Sequence, residues 1–331
     1  MSQPSATTLA LLRRLADGGW HSGTALAQQL GLSRAAVWKQ LQGLARWGVE
    51  VQAQRPRGYR LAGGLDLIDL PRLRSLLAGS AAGQQPLLHF DTLASTNAHL
   101  LARIGAGEGG GVCLAEHQMA GRGRRGRAWH SPFGRNLYLS VAQAFDSAPA
   151  ALAGLSLAIG AALAQALSAL GVARLGLKWP NDLLCDGQKL AGVLIELQGD
   201  TQGPCWVVVG IGLNVNMDCA DAGAIDQPWT SLVRASGRAW DRTALAAQLV
   251  ADVSQLMAAY PTQGLAPWRD VYARFDVLAG RPVQVDWAGE RIAGVARGVD
   301  ASGALLVDCE GQRRALWGGE VTVRTGHGPA V

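Results

Sequence analysis

Cysteine is scarce in this sequence, at five of 331 residues. The number is odd and no two cysteines form a Cys-x-x-Cys pair; they stand at positions 113, 185, 205, 219 and 309. A disulfide-bonded scaffold and a cysteine zinc site both require paired or clustered cysteines. Their absence favours a reducing, cytoplasmic environment and a protein with no metal held as a fixed site.

Signals of membrane targeting are also lacking. The N-terminal residues show no basic stretch followed by an apolar one, which is the pattern of a secretory signal. The stretch from Ala150 to Leu170 has the length of a membrane span, but it is rich in small residues and contains Ser156, Gln165 and Ser168. We expect it to be a buried core helix in a protein without membrane attachment.

Positive charge is concentrated near the N-terminus. Residues 1–64 contain eight Lys or Arg and two acidic residues, a net charge of +6, whereas the whole chain carries +5. The remaining residues are therefore close to neutral. A basic head on a near-neutral body indicates a nucleic-acid-binding module joined to another function.

The same 64 residues have the pattern of a winged helix-turn-helix. Ser22 can cap a helix that ends at Gly31, and Ser33 can cap the next helix, in which Val37 and Leu41 face inward. Two helices joined by a short turn that contains glycine form the helix-turn-helix motif. A helical dimerisation or protein-binding module is the alternative.

A hairpin with a basic tip follows the helices and predicts the wing. We expect its strands at residues 49–52 and 59–61. Outward-facing polar and basic side chains on the third helix and the wing suit phosphates and base edges. The candidate DNA-binding residues are Ser33, Arg34, Ala35, Trp38, Lys39, Gln42, Arg55 and Arg57.

The stretch from Gly121 to Trp129 places four arginines among three glycines and ends in an aromatic ring. Glycine allows close backbone approach to a ligand, and arginine matches phosphate and carboxylate oxygens in pairs. A loop that wraps a small anion, a nucleic-acid patch and a solvated basic loop all remain possible from this stretch. The spacing also fits a dinucleotide fingerprint, but a turn and a strand follow where that fingerprint requires a helix.

Two further charged residues lie in the same central region. The segments 176–179 and 189–196 predict a hairpin with Asp182 at its tip and Lys189 at the start of its return strand. The strand 207–216 contains glycines that we expect to leave space for a ligand. Acyl adenylation requires a carboxylate and an α-phosphate to be neutralised in one place, and this set of charges supplies that chemistry.

The C-terminal region alternates short strands with glycine turns, which predicts a small SH3-like β-barrel. The expected organisation is therefore α+β and multidomain. The domain boundaries that we predict are 1–64 for the winged helix-turn-helix, 65–86 for a connector, 87–272 for the catalytic domain, 273–325 for the barrel and 326–331 for a disordered tail.

Several motifs together closely resemble the biotin–protein ligases, in particular the bifunctional kind that also represses the biotin operon. The resemblance extends from about residue 9 to 325. The matching motifs are Ser95-Thr96-Asn97, the run 121–127, Lys178-Trp179-Pro180-Asn181-Asp182, Lys189-Leu190-Ala191-Gly192, Gly210-Ile211-Gly212-Leu213-Asn214 and Trp317-Gly318-Gly319-Glu320. It implies a class II synthetase-like α/β central domain with a mixed sheet.

The resemblance also implies a reaction and its residues. Biotin and MgATP would give biotinyl-5′-AMP, from which a lysine of the biotin carboxyl carrier protein takes the biotin. The residues implied for biotin are Ser95, Thr96, Asn97, Gln118, Arg122, Gly123, Arg124, Lys189, Gly192 and Gly210. Those implied for the nucleotide are Trp129, Asn181, Asn214 and Arg324. Those implied for catalysis are Lys189, Arg124, Arg122 and Asp182, with Asp182 pairing with the arginine loop and orienting the incoming lysine.

In the family, ordering of the loop around the adenylate strengthens a homodimer that binds operator DNA. The wing sequence and Trp38 differ from the family pattern, so the resemblance does not specify the operator. Three alternatives remain: a ligase with a vestigial DNA-binding domain, a biotin-sensing repressor without ligase activity, and ligation of lipoate.

Overall fold

Each α-helix of the N-terminal module follows a serine N-cap. The computed structural model describes residues 4–61, 63–200, 202–219, 225–287, 289–317 and 322–325. Helices α1 (Ala6–Leu15), α2 (Gly23–Leu30) and α3 (Arg34–Gln42) follow the N-caps Ser5, Ser22 and Ser33. The Ser22 and Ser33 hydroxyls accept hydrogen bonds from the backbone N–H of Ala25 (3.0 Å) and Ala36 (3.1 Å), so both predicted caps are confirmed.

The wing is an antiparallel hairpin of β1 (Val51–Gln54) and β2 (Gly58–Leu61). The predicted first strand, 49–52, begins two residues too early. Val49 instead packs in the core of the module, because a 3₁₀ turn over Gly43–Trp47 and a left-handed Gly48 (φ 73°) reverse the chain before it. The fold of a helix-turn-helix with a wing is as predicted.

A short connector leads into the central domain. Asp69 caps α4 (Leu70–Leu77), which packs on the long helix α8 (Arg242–Gln263). A 3₁₀ turn at Ala81–Gln84 follows. Leu73 and Leu77 of this helix are buried, whereas Leu76 is exposed.

The central domain is a seven-stranded mixed sheet with the order β3-β4-β5-β9-β8-β7-β6. Only the β3–β4 pair is parallel. The strands are β3 (Leu87–Phe90), β4 (Gly111–Ala115), β5 (Leu137–Phe145), β6 (Leu175–Lys178), β7 (Asp182–Cys185), β8 (Gln188–Gly199) and β9 (Cys205–Leu213). Helices α6 (Leu155–Ala169), α8 and α9 (Arg269–Phe275) pack with one large core, and α5 (Thr96–Gly105) packs with a smaller one.

The apolar segment that raised the question of a membrane is part of the large core. Pro149–Ala169 has the length and composition to cross a membrane. It divides into a 3₁₀ turn at Pro149–Leu152 and α6, which packs on β6, β7, β8, α8 and α9. Burial within this domain accounts for its apolar character, as predicted for a core helix.

The predicted hairpin around Asp182 is wrong in its number of strands. Asp182 begins a separate strand, β7, which pairs with both β6 and β8. The second turn contains Asp186 and Gly187, both with positive φ (53° and 74°). An Asp-Gly pair with two positive φ angles is typical of a two-residue hairpin turn. Short α7 (Leu232–Ser236) lies between β9 and α8.

The C-terminal domain is a five-stranded antiparallel sheet with the order β13-β12-β11-β10-β14. Its strands are β10 (Pro282–Trp287), β11 (Glu290–Val299), β12 (Leu305–Cys309), β13 (Gln312–Leu316) and β14 (Thr322–Thr325). The motif residues Gly318, Gly319 and Glu320 and the tail 326–331 lie outside the described residues.

Candidate active site

One face of the central sheet forms the floor of a cavity. Strand pairing aligns Ser140 of β5 with Gly210 of β9 and Leu194 of β8. Two residues along, Tyr138 aligns with Gly212 and Gly192 in the same way. Because side chains alternate along a strand, these positions share a face, and the intervening apolar residues enter the large core. The cavity is bordered by residues 95–97, 118, 122–125, 127–129, 178–182, 189, 192–194, 210–212 and 227.

All ten residues expected to contact biotin border this cavity. Three other predicted residues, Trp129, Asn181 and Asp182, border it too. They arrive from four separate places: the start of α5, the segment after β4, the β6–β7 turn and the edge of β8 and β9. The fold therefore brings together residues that lie far apart in sequence.

The glycine positions on the floor hold protein side chains, which corrects the expectation that they leave open space. A methyl group at Gly210 would collide with the Asn97 amide, and one at Gly212 would lie 2.5 Å from the Trp129 ring. A methyl group at Gly192 would lie 3.2 Å from the same ring. Glycine is required here because Asn97 and Trp129 lie directly on the strands.

A buried polar cluster stands at the start of α5. The backbone N–H of Thr96 donates to Gln118 Oε1 at 2.9 Å. Ser140 Oγ lies 2.7 Å from Thr96 Oγ1 and 2.6 Å from Asn97 Oδ1. The Asn97 amide nitrogen donates to Glu196 Oε2 at 2.8 Å. Hydrogen bonding of this kind fixes side chains so that they can recognise a ligand with matching polar groups.

The arginine-glycine stretch forms a small hairpin beside the cluster. The backbone N–H of Gly123 donates to Arg127 O, and that of Trp129 donates to Gly121 O, each at 2.8 Å. Arg125 has a left-handed backbone (φ 59°) within the tight turn at its tip. This hairpin brings the Trp129 ring down onto the sheet.

The charged groups of the site surround Trp129. Lys189 Nζ lies 2.8 Å from Asp182 Oδ1 and 5.6 Å from the centre of the Trp129 ring. Burial lowers the pKa of the Arg124 guanidinium, while the nearby Asp182 charge opposes that shift. Arg122 Nη2 lies 3.4 Å from Glu196 Oε1. Asp182 therefore pairs with Lys189, and its charge also acts on Arg124 of the arginine loop.

A second cavity shares Trp129 and Lys189 with the first. Trp129, Lys189, Asn214, Trp229 and His117 are among the residues that border it. Burial lowers the pKa of His117 to about 4, and the charge of His130 adds to this effect. The Asn214 amide donates to Thr230 O at 2.9 Å. Of the predicted nucleotide residues, Trp129 and Asn214 meet here, whereas Asn181 borders only the first cavity.

The remaining predicted nucleotide residue, Arg324, lies in β14. Its backbone pairs with Gln284 of β10, and its side chain lies outside the described part of the structure. No group of three or more His, Cys, Asp or Glu residues suited to a metal occurs within the described ranges.

Comparison with known proteins agrees with this geometry. The model of the "Biotin/lipoate A/B protein ligase family" matches residues 89–214, an HTH domain model matches 7–60, and a "Biotin protein ligase C terminal domain" model matches 279–324. The bifunctional ligase/repressor BirA of Salmonella typhimurium is 41% identical over 317 residues, which cover 96% of this chain and 97% of that protein. The chain belongs to the biotin protein ligase family.

Other family members extend the similarity. The bifunctional ligase/repressor BirA of Bacillus subtilis is 32% identical over 290 residues, covering 87% of this chain and 89% of that protein. A solved biotin protein ligase from Aquifex aeolicus, in complex with biotin and ATP, superposes with a TM-score of 0.62. It is 26% identical and covers 72% of this chain and 99% of that structure.

Two site residues of this biotin protein ligase are missing from the sequence prediction. Ser140 and Glu196 both bond to Asn97. Strand alternation could have found Glu196, because it lies two and four residues beyond Leu194 and Gly192 on β8. Ser140 is the polar residue in the otherwise apolar run 137–142, which is also a usable signal.

The N-terminal module of the biotin protein ligase exposes all eight residues predicted to contact DNA. Trp38 on α3 stacks against Tyr59 on β2, with ring centroids 5.8 Å apart. The Arg57 and Arg60 guanidinium groups lie 4.9 and 4.7 Å from the Trp20 ring. The Trp38–Tyr59 contact thus connects the wing to α3, and the Trp20 ring positions the guanidinium groups of Arg57 and Arg60.

Proposed function

We propose that the chain activates biotin with MgATP to biotinyl-5′-AMP and transfers the biotin to a lysine of the biotin carboxyl carrier protein. The observation that carries the proposal is the meeting of Arg122, Arg124 and Lys189 with a buried polar cluster in one cavity. Cations at that point favour the approach of a biotin carboxylate to an α-phosphate. Mg²⁺ enters as part of the nucleotide substrate.

The proposed roles follow the geometry. The polar cluster holds the biotin ring system, and Gly192 and Gly210 at the cavity floor leave room for the Trp129 and Asn97 side chains that line the site. Gly123 gives the loop backbone room to approach. Arg122, Arg124 and Lys189 neutralise the reacting oxygens, and Asp182 orients the attacking lysine through its position beside Lys189. Trp129 and Asn214 contact the adenine, with Asn181 and Arg324 in supporting positions. Trp129 stands between the two cavities, which suits a ligand with biotin on one side and a nucleotide on the other.

We also propose that the protein acts in the cytoplasm as a biotin-responsive repressor of biotin synthesis genes. The relatives named ligase/repressor and the exposed basic face of the winged helix support this role. Ordering of the loop around the adenylate would strengthen a homodimer and so its binding to operator DNA. The domain boundaries stated above remain part of the proposal.

The decisive experiment mixes the protein with biotin, MgATP and a carrier domain and weighs the carrier by mass spectrometry. We expect a mass gain that matches one biotin amide and that requires ATP. Lipoate is offered in a parallel reaction. An unchanged carrier would refute the ligase, and a gain from lipoate but not biotin would replace it with lipoate ligation.

A further inference from the structure

The turn that joins β6 to β7 is hydrogen-bonded to a loop of the C-terminal sheet. Trp179, Asn181 and Asp182 stand in or next to this turn, and all three border the first cavity. The indole Nε1–H of Trp179 donates to the backbone carbonyl of Gly303 at 3.0 Å. Gly303 lies between β11 and β12, so this bond connects the active-site turn to a separate domain.

Asp300 determines the conformation of that β11–β12 loop, residues 300–304. Its Oδ1 atom accepts hydrogen bonds from the backbone N–H groups of Ser302 (2.8 Å) and Ala304 (3.0 Å) and from the Ser302 hydroxyl (2.7 Å). The backbone N–H of Gly303 donates to Asp300 O at 3.1 Å. These bonds fix the path of the loop and therefore the place of the Gly303 carbonyl.

The loop also packs closely on the start of α6. A methyl group at Gly303 would lie 2.8 Å from Gly154 Cα and 3.0 Å from Leu157 Cδ1. Within α6, the Ser156 hydroxyl donates to Pro180 O in the β6–β7 turn at 3.2 Å. The loop has no room to move toward α6, so it offers the Trp179 indole an acceptor at a fixed position.

The far end of the turn is attached to the central sheet instead. The Asn181 amide donates to Val193 O at 2.9 Å, and the Val193 N–H donates to Asn181 O at 3.0 Å. Asp182 follows and pairs with Lys189. Lys189 belongs to β8 and is placed by its pairing with β7, whereas Asp182 is placed by the turn as well.

We propose that the β11–β12 loop, acting through the Gly303 carbonyl and Trp179, positions the β6–β7 turn so that Asp182 can orient the incoming lysine of the carrier protein. Trp179 and Asp300 are then positioning residues for the transfer step. The proposal rests on the proposed function, in which Asp182 has that role. Adenylate formation relies on cations held by β8 and the arginine hairpin, so it depends less on the turn.

The test measures the two steps separately in the full-length protein. A single turnover of pyrophosphate release with biotin and MgATP reports adenylate formation, and transfer from preformed biotinyl-5′-AMP to a carrier domain reports the second step. Trp179→Phe keeps an aromatic ring but removes the N–H donor. We expect it to slow transfer at least about fivefold, because small displacements of an orienting group are costly, and to change adenylate formation less than about twofold.

Trp240→Phe is the matched control. Trp240 is 6% exposed in the same large core, and its Nε1–H donates to Ser236 Oγ at 2.9 Å. The substitution therefore removes the same atoms and the same kind of hydrogen bond at a position away from the turn. We expect both steps to keep their wild-type rates in this variant.

Variants of Asp300 test the loop from its other end. Asp300→Ala removes the acceptor of three hydrogen bonds and should reproduce the transfer defect of Trp179→Phe. Asp300→Asn keeps an accepting oxygen and should retain most of the transfer rate. The double variant Trp179→Phe/Asp300→Ala should show less than the summed defect, because both changes act through one hydrogen bond.

Wild-type transfer by Trp179→Phe, equal slowing of both steps, or additive defects in the double variant would overturn the proposal. A defect in Asp300→Asn as large as that in Asp300→Ala would also do so. Failure of the proposed function gives a different result, since the wild-type protein and Trp240→Phe would then release no pyrophosphate and leave the carrier domain unmodified.

Discussion

The Lys189 ammonium already forms an ion pair within the protein. Its ammonium is paired with Asp182 at 2.8 Å, and both side chains are largely buried, at 19% and 24% exposure. An anionic substrate must therefore compete with Asp182 for this charge or share it. Sharing is favoured when the new anion arrives with further cations, and Arg124 lies close enough for its pKa to respond to Asp182.

We expect Lys189→Ala and Arg124→Ala each to slow adenylate formation at least about tenfold, a loss on the order of 1.4 kcal/mol in transition-state stabilisation. Each change removes one of the charges that we propose neutralise the reacting oxygens. Pyrophosphate release with biotin and MgATP measures the effect. Arg313→Ala is the control, since Arg313 pairs with Asp308 at 2.7 Å on the C-terminal sheet. Wild-type rates in both site variants would remove these cations from the mechanism.

At the scale of residues, the sequence predicts which residues come together better than it predicts which side chains contact each other. Ser95, Thr96 and Asn97 border one cavity with the other residues predicted for biotin, but the contact of Asn97 with Glu196 depends on strand register. Such a contact joins residues about one hundred positions apart in sequence. Local patterns specify which face a residue occupies, and only the assembled sheet specifies its neighbour.

At the scale of elements, helix caps and hydrophobic spacing proved the most informative signals. Ser22 and Ser33 both accept the predicted capping bond at a helix start. The sequence pattern does not reveal β7, because Pro180-Asn181-Asp182 has the composition of a complete turn between two strands. The Asp186-Gly187 pair carried the missing signal, and its two positive φ angles explain why these residue types stand there.

We expect the wing and α3 to make separable contributions to DNA binding. Arg57 is exposed and is held at the Trp20 ring, so it can meet a phosphate. We expect Arg57→Ala to weaken binding to duplexes of any sequence and to reduce the salt slope by about one. Trp38→Ala should instead alter which sequences the protein selects from a random pool, because we propose that Trp38 on α3 contacts base edges.

Fluorescence anisotropy across a salt series measures the first effect, and sequencing of the bound DNA measures the second. Both experiments use the full-length protein with biotin and MgATP. Arg74→Ala, an exposed arginine on α4 outside the module, is the control for loss of charge. Equal salt slopes in wild type and Arg57→Ala would show that Arg57 of the wing does not contact the DNA phosphate backbone.

At the scale of the whole molecule, the DNA-binding module and the active site share one segment of chain. Phe133 follows Trp129 by four residues and is 1% exposed within the core of the N-terminal module. Its backbone N–H donates to Trp47 O at 3.2 Å. The next residue, Gly134, donates to Glu116 O at 3.0 Å, and Glu116 lies two residues before Gln118. The segment 133–134 is therefore joined to both the N-terminal module and the strand that leads to Gln118, and we expect movement of one unit to affect the other.

This arrangement predicts that Phe133→Ala affects both activities. Removing a buried phenyl ring costs about 3–5 kcal/mol of stability. Calorimetry should show a lower melting temperature, and both DNA affinity and pyrophosphate release should fall. Phe145→Ala removes an equally buried ring (2% exposed) from the large central core and controls for lost stability alone.

Deletion of residues 1–62 provides the complementary measurement. It should abolish DNA binding and leave a folded domain that still makes adenylate, but with Phe133 exposed that domain should melt at a lower temperature than the full-length protein. Introducing Phe133→Ala into the truncated chain should then cost little, because the phenyl ring has already lost the core that surrounds it. If Phe133→Ala costs the same in the truncated and full-length chains, the stability of the two units is not coupled through this segment.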